Sequence, residues 1–396
     1  MYYLLYVIFF LSVLLYGSVY IGPVTPRQFM TIVMFIYLFM NKKLFLDRIL
    51  KLYICFIFCY ILSNTLTGFF SSSLKFVFSF FLVAIIGYIA TANLFRKKNG
   101  YSFLMYTIII IGCFNSLVTI FQLLRINALD PLLNILNLKT GFNAFTDGAS
   151  NYSIADNNIF IFALPGIFLD AVSNGYFSAV AAICSLYLPY VRNKLISYIP
   201  WLFLMGGCFA TQQRTSLIGA FICSLLIFYY MFRYDSLHGK SLSRLFPVFI
   251  LSIILIVLSS ISFTMETRFD DLTNMESRTD LYNDSIEFIS DNIFLGGINL
   301  FFSKYHEYPH NFFFNSFIAG GLIGAFFIFV IIFIQFRSSI RLLRKIKTTH
   351  VLIPLLALLS MFGASLMHNQ SIVYGDFLYL CFSSFLVNGL IHSKLE

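Results

Sequence analysis

The sequence predicts an all-α polytopic membrane protein, folded as a single integral membrane domain over residues 1–396. Hydrophobic residues make up 59% of the chain, charged residues only 11%, and Phe alone occupies 50 positions. A soluble globular chain carries about 25% charged residues, and a disordered chain is less hydrophobic still, so this composition argues against both classes. The apolar residues also come in runs long enough to cross a bilayer core of about 30 Å as helices.

About twelve such runs (11–13) are predicted to span the membrane. An apolar piece at 159–169 is too short to cross and is expected to be re-entrant or interfacial. The polar stretch 264–309 is predicted to form one large loop between the ninth and tenth spans. The predicted spans are 2–21, 28–41, 52–70, 74–95, 101–124, 174–191, 195–212, 215–233, 245–263, 310–336, 351–367 and 371–391.

Basic residues set the predicted orientation, because the cytoplasmic loops of membrane proteins are enriched in Lys and Arg. With the N-terminus inside, 18 of the 26 basic residues fall on the cytoplasmic side and 14 of the 17 acidic residues fall outside. The inside then carries +15 and the outside −6, which together give the net charge of +9. The positive charge is therefore a topology signal. Both termini are expected in the cytoplasm, and no nucleic-acid partner is expected.

Two of the basic residues left outside lie at predicted helix starts. Arg214 opens the eighth span among hydroxyl and amide side chains. Arg278 follows Ser277, whose spacing to Asp280 resembles a capping box at a helix start. An Arg at a helix N-terminus is suited to binding phosphate. The alternatives are that Arg214 anchors the helix at the interface and that Arg278 forms a salt bridge within its acidic loop.

Five further polar residues lie near these helix starts. His310 and Asn311 stand at the outer start of the tenth span, after a Pro-bounded turn that begins with His306. A His at the membrane–water boundary can act as a base or, when charged, bind phosphate, and a structural role is the alternative. Lys304 lies in the same loop, and Asn174 opens the sixth span. We predict His310, Arg214 and Arg278 as catalytic and the other four residues as substrate-binding.

These cationic groups suit a lipid with a pyrophosphate headgroup, because Arg forks bind phosphates bidentately. Almost no ionisable residue lies at mid-depth in the predicted spans, which argues against an ion-coupled transporter. No Asp-x-Asp pair or Cys/His cluster accompanies the candidate residues, so neither a metal nor a cofactor is expected. Arg residues would then neutralise the charge that a metal otherwise neutralises.

The order of these motifs resembles the bacterial O-antigen polymerase and O-antigen ligase superfamily. The resemblance runs over roughly 160–325 and agrees with the predicted topology. Its most specific part is His310-Asn311 followed, after nine residues, by the segment Gly321 to Gly324. The other similar segments are Gly166 to Gly175, Arg214 to Gly219, and Ser277-Arg278 with the helix and the Gly296-Gly297 pair that follow.

The resemblance implies an O-antigen polymerase (Wzy-type) of GT-C-like architecture in the bacterial inner membrane. Such an enzyme takes a glycan from undecaprenyl pyrophosphate at the periplasmic face. It transfers the glycan to a lipid-linked repeat unit with inversion and without a metal. Arg214 and Arg278 would bind the pyrophosphate as leaving group, and His310 would orient phosphate or help deprotonate the acceptor hydroxyl. Membrane lipids and a chain-length regulator protein are further expected partners.

Two alternative functions stay open. An O-antigen ligase would use lipid A core as acceptor, but the outside charge of −6 offers no strongly basic patch for a phosphorylated core. A flippase or exporter of lipid-linked oligosaccharides would need a cationic central cavity, and charges within the spans are scarce. The sequence therefore favours the polymerase.

Overall fold

The structure, a computed structural model, is all-helical across the residues it describes, and no strand occurs among them. These residues are 2–15, 25–95, 99–124, 126, 128–135, 164, 166–168, 171–192, 195–211, 213–234, 273–345, 349–366 and 372–392. We number the helices α1 (Tyr2–Leu14), α2 (Pro26–Met40), α3 (Arg48–Leu66), α4 (Phe70–Phe76), α5 (Leu82–Phe95), α6 (Gly100–Leu123), α7 (Asp130–Ile135), α8 (Ala171–Ser185), α9 (Tyr187–Arg192), α10 (Ile199–Ala210), α11 (Arg214–Tyr234), α12 (Thr273–Asp291), α13 (Ile298–Tyr305), α14 (Phe312–Lys345), α15 (Thr349–Ser365) and α16 (Phe377–His392).

Helices occupy eleven of the twelve predicted spans, entirely or in part, and the ninth (245–263) lies outside the described residues. By length and composition, four described helices are long and apolar enough to cross a membrane, and six others are shorter and apolar. The architecture is consistent with a polytopic membrane protein. The number of spans and the extent of the large loop remain predictions.

The helices pack so that the predicted outer positions meet at one end of the bundle. We call this end, which carries Leu66, Arg214 and His310, the site end. α3 lies along α14, α5 along α16, and α11 against both α8 and α15. Small residues permit these close approaches, as between membrane helices generally. For example, a Cβ at Gly219 of α11 would lie 3.0 Å from the Ser360 hydroxyl of α15.

The long helix α14 is broken two turns after its start. Gly320 and Gly321 have non-helical dihedrals, with φ of −141° and 64°. The Ile318 carbonyl and the Leu322 amide are recruited by another segment instead of by the helix. Gly297 N–H donates to Ile318 O (2.7 Å) and Leu322 N–H donates to Ile293 O (2.7 Å).

The segment Ile293–Gly297 is a tight turn between α12 and α13, and we call it the hairpin turn. Its two hydrogen bonds to α14 satisfy backbone groups that would otherwise be stranded in an apolar environment, where each would cost several kcal/mol. The two glycine pairs Gly296-Gly297 and Gly320-Gly321 therefore belong to one joint. This joint fixes α12 and α13 against α14.

We expect Gly321→Ala to destabilise the protein. The positive φ disfavours any side chain by about 1–3 kcal/mol, and a Cβ would also collide with the Phe294 carbonyl. The matched control is Gly324→Ala on the same helix, where a Cβ would meet Cys59 Cβ at an ordinary 3.5 Å. Thermal unfolding in detergent should show a midpoint several degrees lower for Gly321→Ala only. Equal midpoints for the two variants would contradict the joint.

Candidate active site

His310 lies in a short connection that is folded against itself at the site end. α13 ends at His306, which has a left-handed φ of 59° and donates its N–H to Phe302 O (2.8 Å). The chain then turns so that His310 Nε2 lies 3.0 Å from Glu307 Oε1. The carboxylate thus orients the imidazole, as carboxylates do beside catalytic histidines. Glu307 was not among the residues predicted for the site.

Asn311 fixes the place where α14 begins. Its Oδ1 accepts hydrogen bonds from the N–H groups of Phe313 (2.8 Å) and Phe314 (3.4 Å), which is the geometry of an N-cap. Its Nδ2 donates to Leu366 O (3.3 Å), at the end of α15. In the structure the amide of Asn311 therefore caps α14 and ties it to α15, and its substrate-binding role stays a prediction.

An aromatic layer lies beside the His310 connection. The rings of Tyr308 and Tyr374 are 6.0 Å apart, and Tyr374 Oη donates to Asn315 Oδ1 (2.6 Å). Burial raises the pKa of the Tyr308 phenol, so it stays a neutral donor at physiological pH. The sequence reasoning missed these residues. The one available signal was the four-residue spacing of Asn311 and Asn315, which puts both amides on one helix face.

The predicted start of the helix at Ser277 is wrong, because α12 is already helical at Thr273. The capping box with Asp280 is therefore absent, and Arg278 is not at a helix N-terminus. Its side chain lies outside the described part of the structure, but its backbone position is informative.

Position 278 lies on the face of α12 that packs against the bundle. It precedes Leu281, Tyr282 and Ser285 by three, four and seven residues, which places all four positions on one face. Leu281 and Ser285 are buried, and the Tyr282 ring is 5.4 Å from Phe314 of α14. The acidic residues of α12 form a stripe on the opposite face, at Glu276, Asp280, Asp284, Glu287 and Asp291. The described positions of α12 that share this face with position 278 carry no carboxylate, and the salt bridge within the acidic loop stays open as the alternative.

The register of α12 against α14 places position 278 toward the site end. Tyr282 meets Phe314, and further along both helices Ile293 O accepts from Leu322 N–H, so the two segments run in the same direction. Position 278 lies one turn before the Tyr282–Phe314 contact, and so nearer the site end. The joint at the hairpin turn holds this register.

Arg214 is brought toward the same end of the bundle by a second pair of helices. Its backbone opens α11, and its side chain is not among those described. α11 and α15 are antiparallel, because Cys223 Sγ contacts Leu356 O (3.5 Å) and Gly219 contacts Ser360 one turn further out. One turn beyond that, Arg214 lies level with the end of α15, where Leu366 O accepts from Asn311. The three predicted catalytic positions thus share the site end.

Asn174 lies in a buried amide cluster. Its Nδ2 donates to Leu164 O (2.7 Å) and Thr119 Oγ1 (3.1 Å), and its Oδ1 accepts from Asn115 (2.6 Å) and Ser178 (3.1 Å). Both amide hydrogens and both lone pairs are therefore used. The residue is fully buried and supports the packing of this region, and its substrate contact stays a prediction.

The amide cluster holds a short turn against α6 and α8. Gly166 exchanges two 2.9 Å hydrogen bonds with the Gln122 side chain. It has a φ of 59°, and a Cβ there would lie 2.7 Å from Thr119 Oγ1, so only glycine fits. The described residues of the predicted re-entrant piece, 164 and 166–168, are thus a buried turn. Gly175, which follows Asn174, packs against the side chain of Gln213, the residue before Arg214.

Lys304 and His306 lie at the exposed rim of the site end. Lys304 Nζ is 3.5 Å from Glu287 Oε1 and lies 4.8 Å from the centre of the Tyr305 ring. This exposed ion pair links α13 to the acidic face of α12 and contributes little stability. His306 is exposed and ends α13. Across the described residues, no group of three or more His, Cys, Asp or Glu side chains could hold a metal ion.

Residues 199–329 match the family model described as O-Antigen ligase. The match covers a third of the chain and includes every predicted site residue except Asn174. It supports the O-antigen polymerase and ligase superfamily, and so a glycosyltransferase-like enzyme of surface polysaccharide synthesis, without separating ligase from polymerase. Comparison with curated proteins and with solved structures finds no match.

We expect Asn174→Ala to act through stability. The substitution removes four buried hydrogen bonds, each contributing about 0.5–1.5 kcal/mol, and strands their partners. The unfolding midpoint in detergent should fall by several degrees, whereas Ser290→Ala, which loses one exposed hydrogen bond, should leave it unchanged. A variant Asn174→Ala with wild-type stability but no glycan transfer would instead support the predicted substrate contact.

Proposed function

We propose that this protein is a surface-polysaccharide polymerase. It transfers a growing glycan from undecaprenyl pyrophosphate to a lipid-linked repeat unit, at the periplasmic face of the bacterial inner membrane. The observation that carries the proposal is that positions 214 and 278 and the connection bearing His310 all lie toward the site end. Together with the O-antigen ligase match over residues 199–329, this arrangement supports a site for a pyrophosphate leaving group.

In the proposed reaction the acceptor hydroxyl attacks the anomeric carbon of the donor glycan. The new glycosidic C–O bond forms as the bond from that carbon to the pyrophosphate oxygen breaks, with inversion. The hydroxyl proton passes to His310, which Glu307 holds in place. The charge that develops on the departing pyrophosphate is shared by Arg214 and Arg278, whose planar forks suit phosphate oxygens.

An O-antigen ligase is the second candidate, because the matching family model carries that description. The two functions share the donor and differ in the acceptor. A ligase needs room and charge for a phosphorylated lipid A core. The described rim of the site end carries an acidic stripe on α12, which favours an acceptor with fewer phosphates.

Glycan ladders from a deletion strain separate the two candidates. Loss of a polymerase leaves single repeat units attached to the lipid core, whereas loss of a ligase accumulates lipid-linked polymer. We expect single capped repeats. Lipid-linked polymer in the deletion strain would establish the ligase instead.

Complementation of that strain tests the site residues. We expect Arg214→Ala and Arg278→Ala to lose long chains, because removing one charge-stabilising group costs about 10²–10³ in rate. His310→Ala should act similarly, since general base catalysis contributes about 10²–10⁴. Arg341→Ala, an exposed Arg at the opposite end of α14, is the matched control. Normal chain lengths in all three site variants, at equal expression, would refute the proposed site.

A further inference from the structure

A groove of about 1070 Å³ runs between α2 and the helical segment from α4 to α5. It lies apart from the Arg214 and Arg278 positions and faces the exterior of the bundle. Its polarity changes along its length. At the site end it is lined by Gln28, Ser71 and Lys75, and deeper in the bundle by Phe35, Leu82 and Ile86. This change from a polar mouth to an apolar channel matches a lipid that has one polar headgroup and one long apolar chain.

The mouth of this groove is cationic. Lys75 is exposed there, and the lining contains no acidic side chain. Arg27 of α2 is buried and is not part of the lining; its Nη2 donates to Ser79 O (3.4 Å), and its guanidinium lies 5.6 Å from the centre of the Phe80 ring. The exposed Lys75 at the mouth of an apolar channel complements the phosphate of an anionic lipid.

The wall that carries these contacts is locally distorted. Residues Val77–Phe81 form a single π-helical turn between α4 and α5. Such turns are rare and recur at functional sites. Here the turn includes both Phe78, which lines the groove and is exposed, and Ser79, whose carbonyl binds Arg27.

The groove is connected to the candidate active site by aromatic contacts. Phe76, next to Lys75, has its ring 6.2 Å from that of Tyr374, which in turn lies 6.0 Å from Tyr308. Tyr308 is two residues from His310. The helix contacts run from α11, which Arg214 opens, through α15, α14 and α3 to α4, and α14 begins directly after His310 and Asn311.

We propose that this groove binds the polyprenyl chain of the acceptor, with its phosphate at Lys75. The inference rests on the proposed polymerase function, which consumes two lipid-linked glycans at once. The donor pyrophosphate is assigned to the Arg214 and Arg278 side. The groove supplies the second lipid-binding site, the one for the acceptor. From it the acceptor sugar reaches His310 across the Tyr308–Tyr374 layer.

Two matched substitutions on α2 test the groove. Ile32 and Ile36 are each 49% exposed and lie one turn apart, but only Ile32 lines the groove. Ile32→Trp should fill the channel, and Ile36→Trp should leave it open. The probe is a polyprenyl phosphate with a photoactivatable terminal isoprene, mixed with the purified full-length protein in nanodiscs, and the captured peptides are identified by mass spectrometry.

We expect capture on α2 and α5 in the wild type and in Ile36→Trp, with at least a fivefold loss in Ile32→Trp and in Lys75→Gln. Excess polyprenyl phosphate should compete, and excess phosphatidylglycerol should not. Equal capture in the two Trp variants would overturn the inference. Equal competition by phosphatidylglycerol would also overturn it, because the groove would then be an ordinary phospholipid site.

Glycan ladders from the same variants separate this inference from the proposed function. Short glycan chains in Ile32→Trp and normal chains in Ile36→Trp support the groove as the acceptor site. Normal glycan chains in both Trp variants, with His310→Ala still defective, would overturn the groove as acceptor site and leave the proposed polymerase function intact. Specific capture in the groove together with normal ladders in every active-site variant overturns the polymerase and, with it, the acceptor role of the bound lipid.

Discussion

The site end depends on the two backbone hydrogen bonds that join the hairpin turn to the broken helix α14. A helix in an apolar environment cannot leave its amides and carbonyls unpaired, so the break at Gly320-Gly321 requires a partner segment. Residues 293 and 297 supply that partner, with 2.7 Å bonds to Leu322 and Ile318. The joint fixes the described part of the acidic loop relative to the bundle, because it holds α12 and α13 in register with α14. That register places position 278 toward the site end.

Two other polar anchors complete the arrangement. Asn311 caps α14 and binds the end of α15, and the amide cluster around Asn174 supports the helix start at Arg214. Each anchor uses uncharged side chains or backbone groups, which avoids the cost of burying ions in the bundle. The cationic positions can therefore remain at the site end, available to an anionic substrate. The bundle is thus held by uncharged groups, while the cationic positions lie at the site end. This arrangement agrees with the low charge content of the chain.

Much of the helix pattern follows from the sequence, because apolar runs near 20 residues long have few other structures open to them. The sequence also singles out Arg214 and Arg278, as basic residues on the side where Lys and Arg are scarce, and His310 at a predicted helix start; their roles remain predictions. The joint could not be predicted, because it pairs backbone groups at glycines, which carry no side-chain pattern. The four internal hydrogen bonds of Asn174 could not be predicted either, since they depend on how the helices pack. The capping box at Ser277 failed because α12 starts earlier than its local spacing indicates.

The most direct test of the account is a reconstituted transfer reaction. Purified protein in vesicles would be given undecaprenyl-pyrophosphate-linked repeat units in the presence of a metal chelator, and both the glycan and the released lipid would be measured. The account predicts lipid-linked dimers and longer chains, with one undecaprenyl pyrophosphate released per bond formed, and the loss of both products in Arg214→Ala. Movement of the lipid-linked units across the vesicle membrane without any lengthening of the glycan would contradict it.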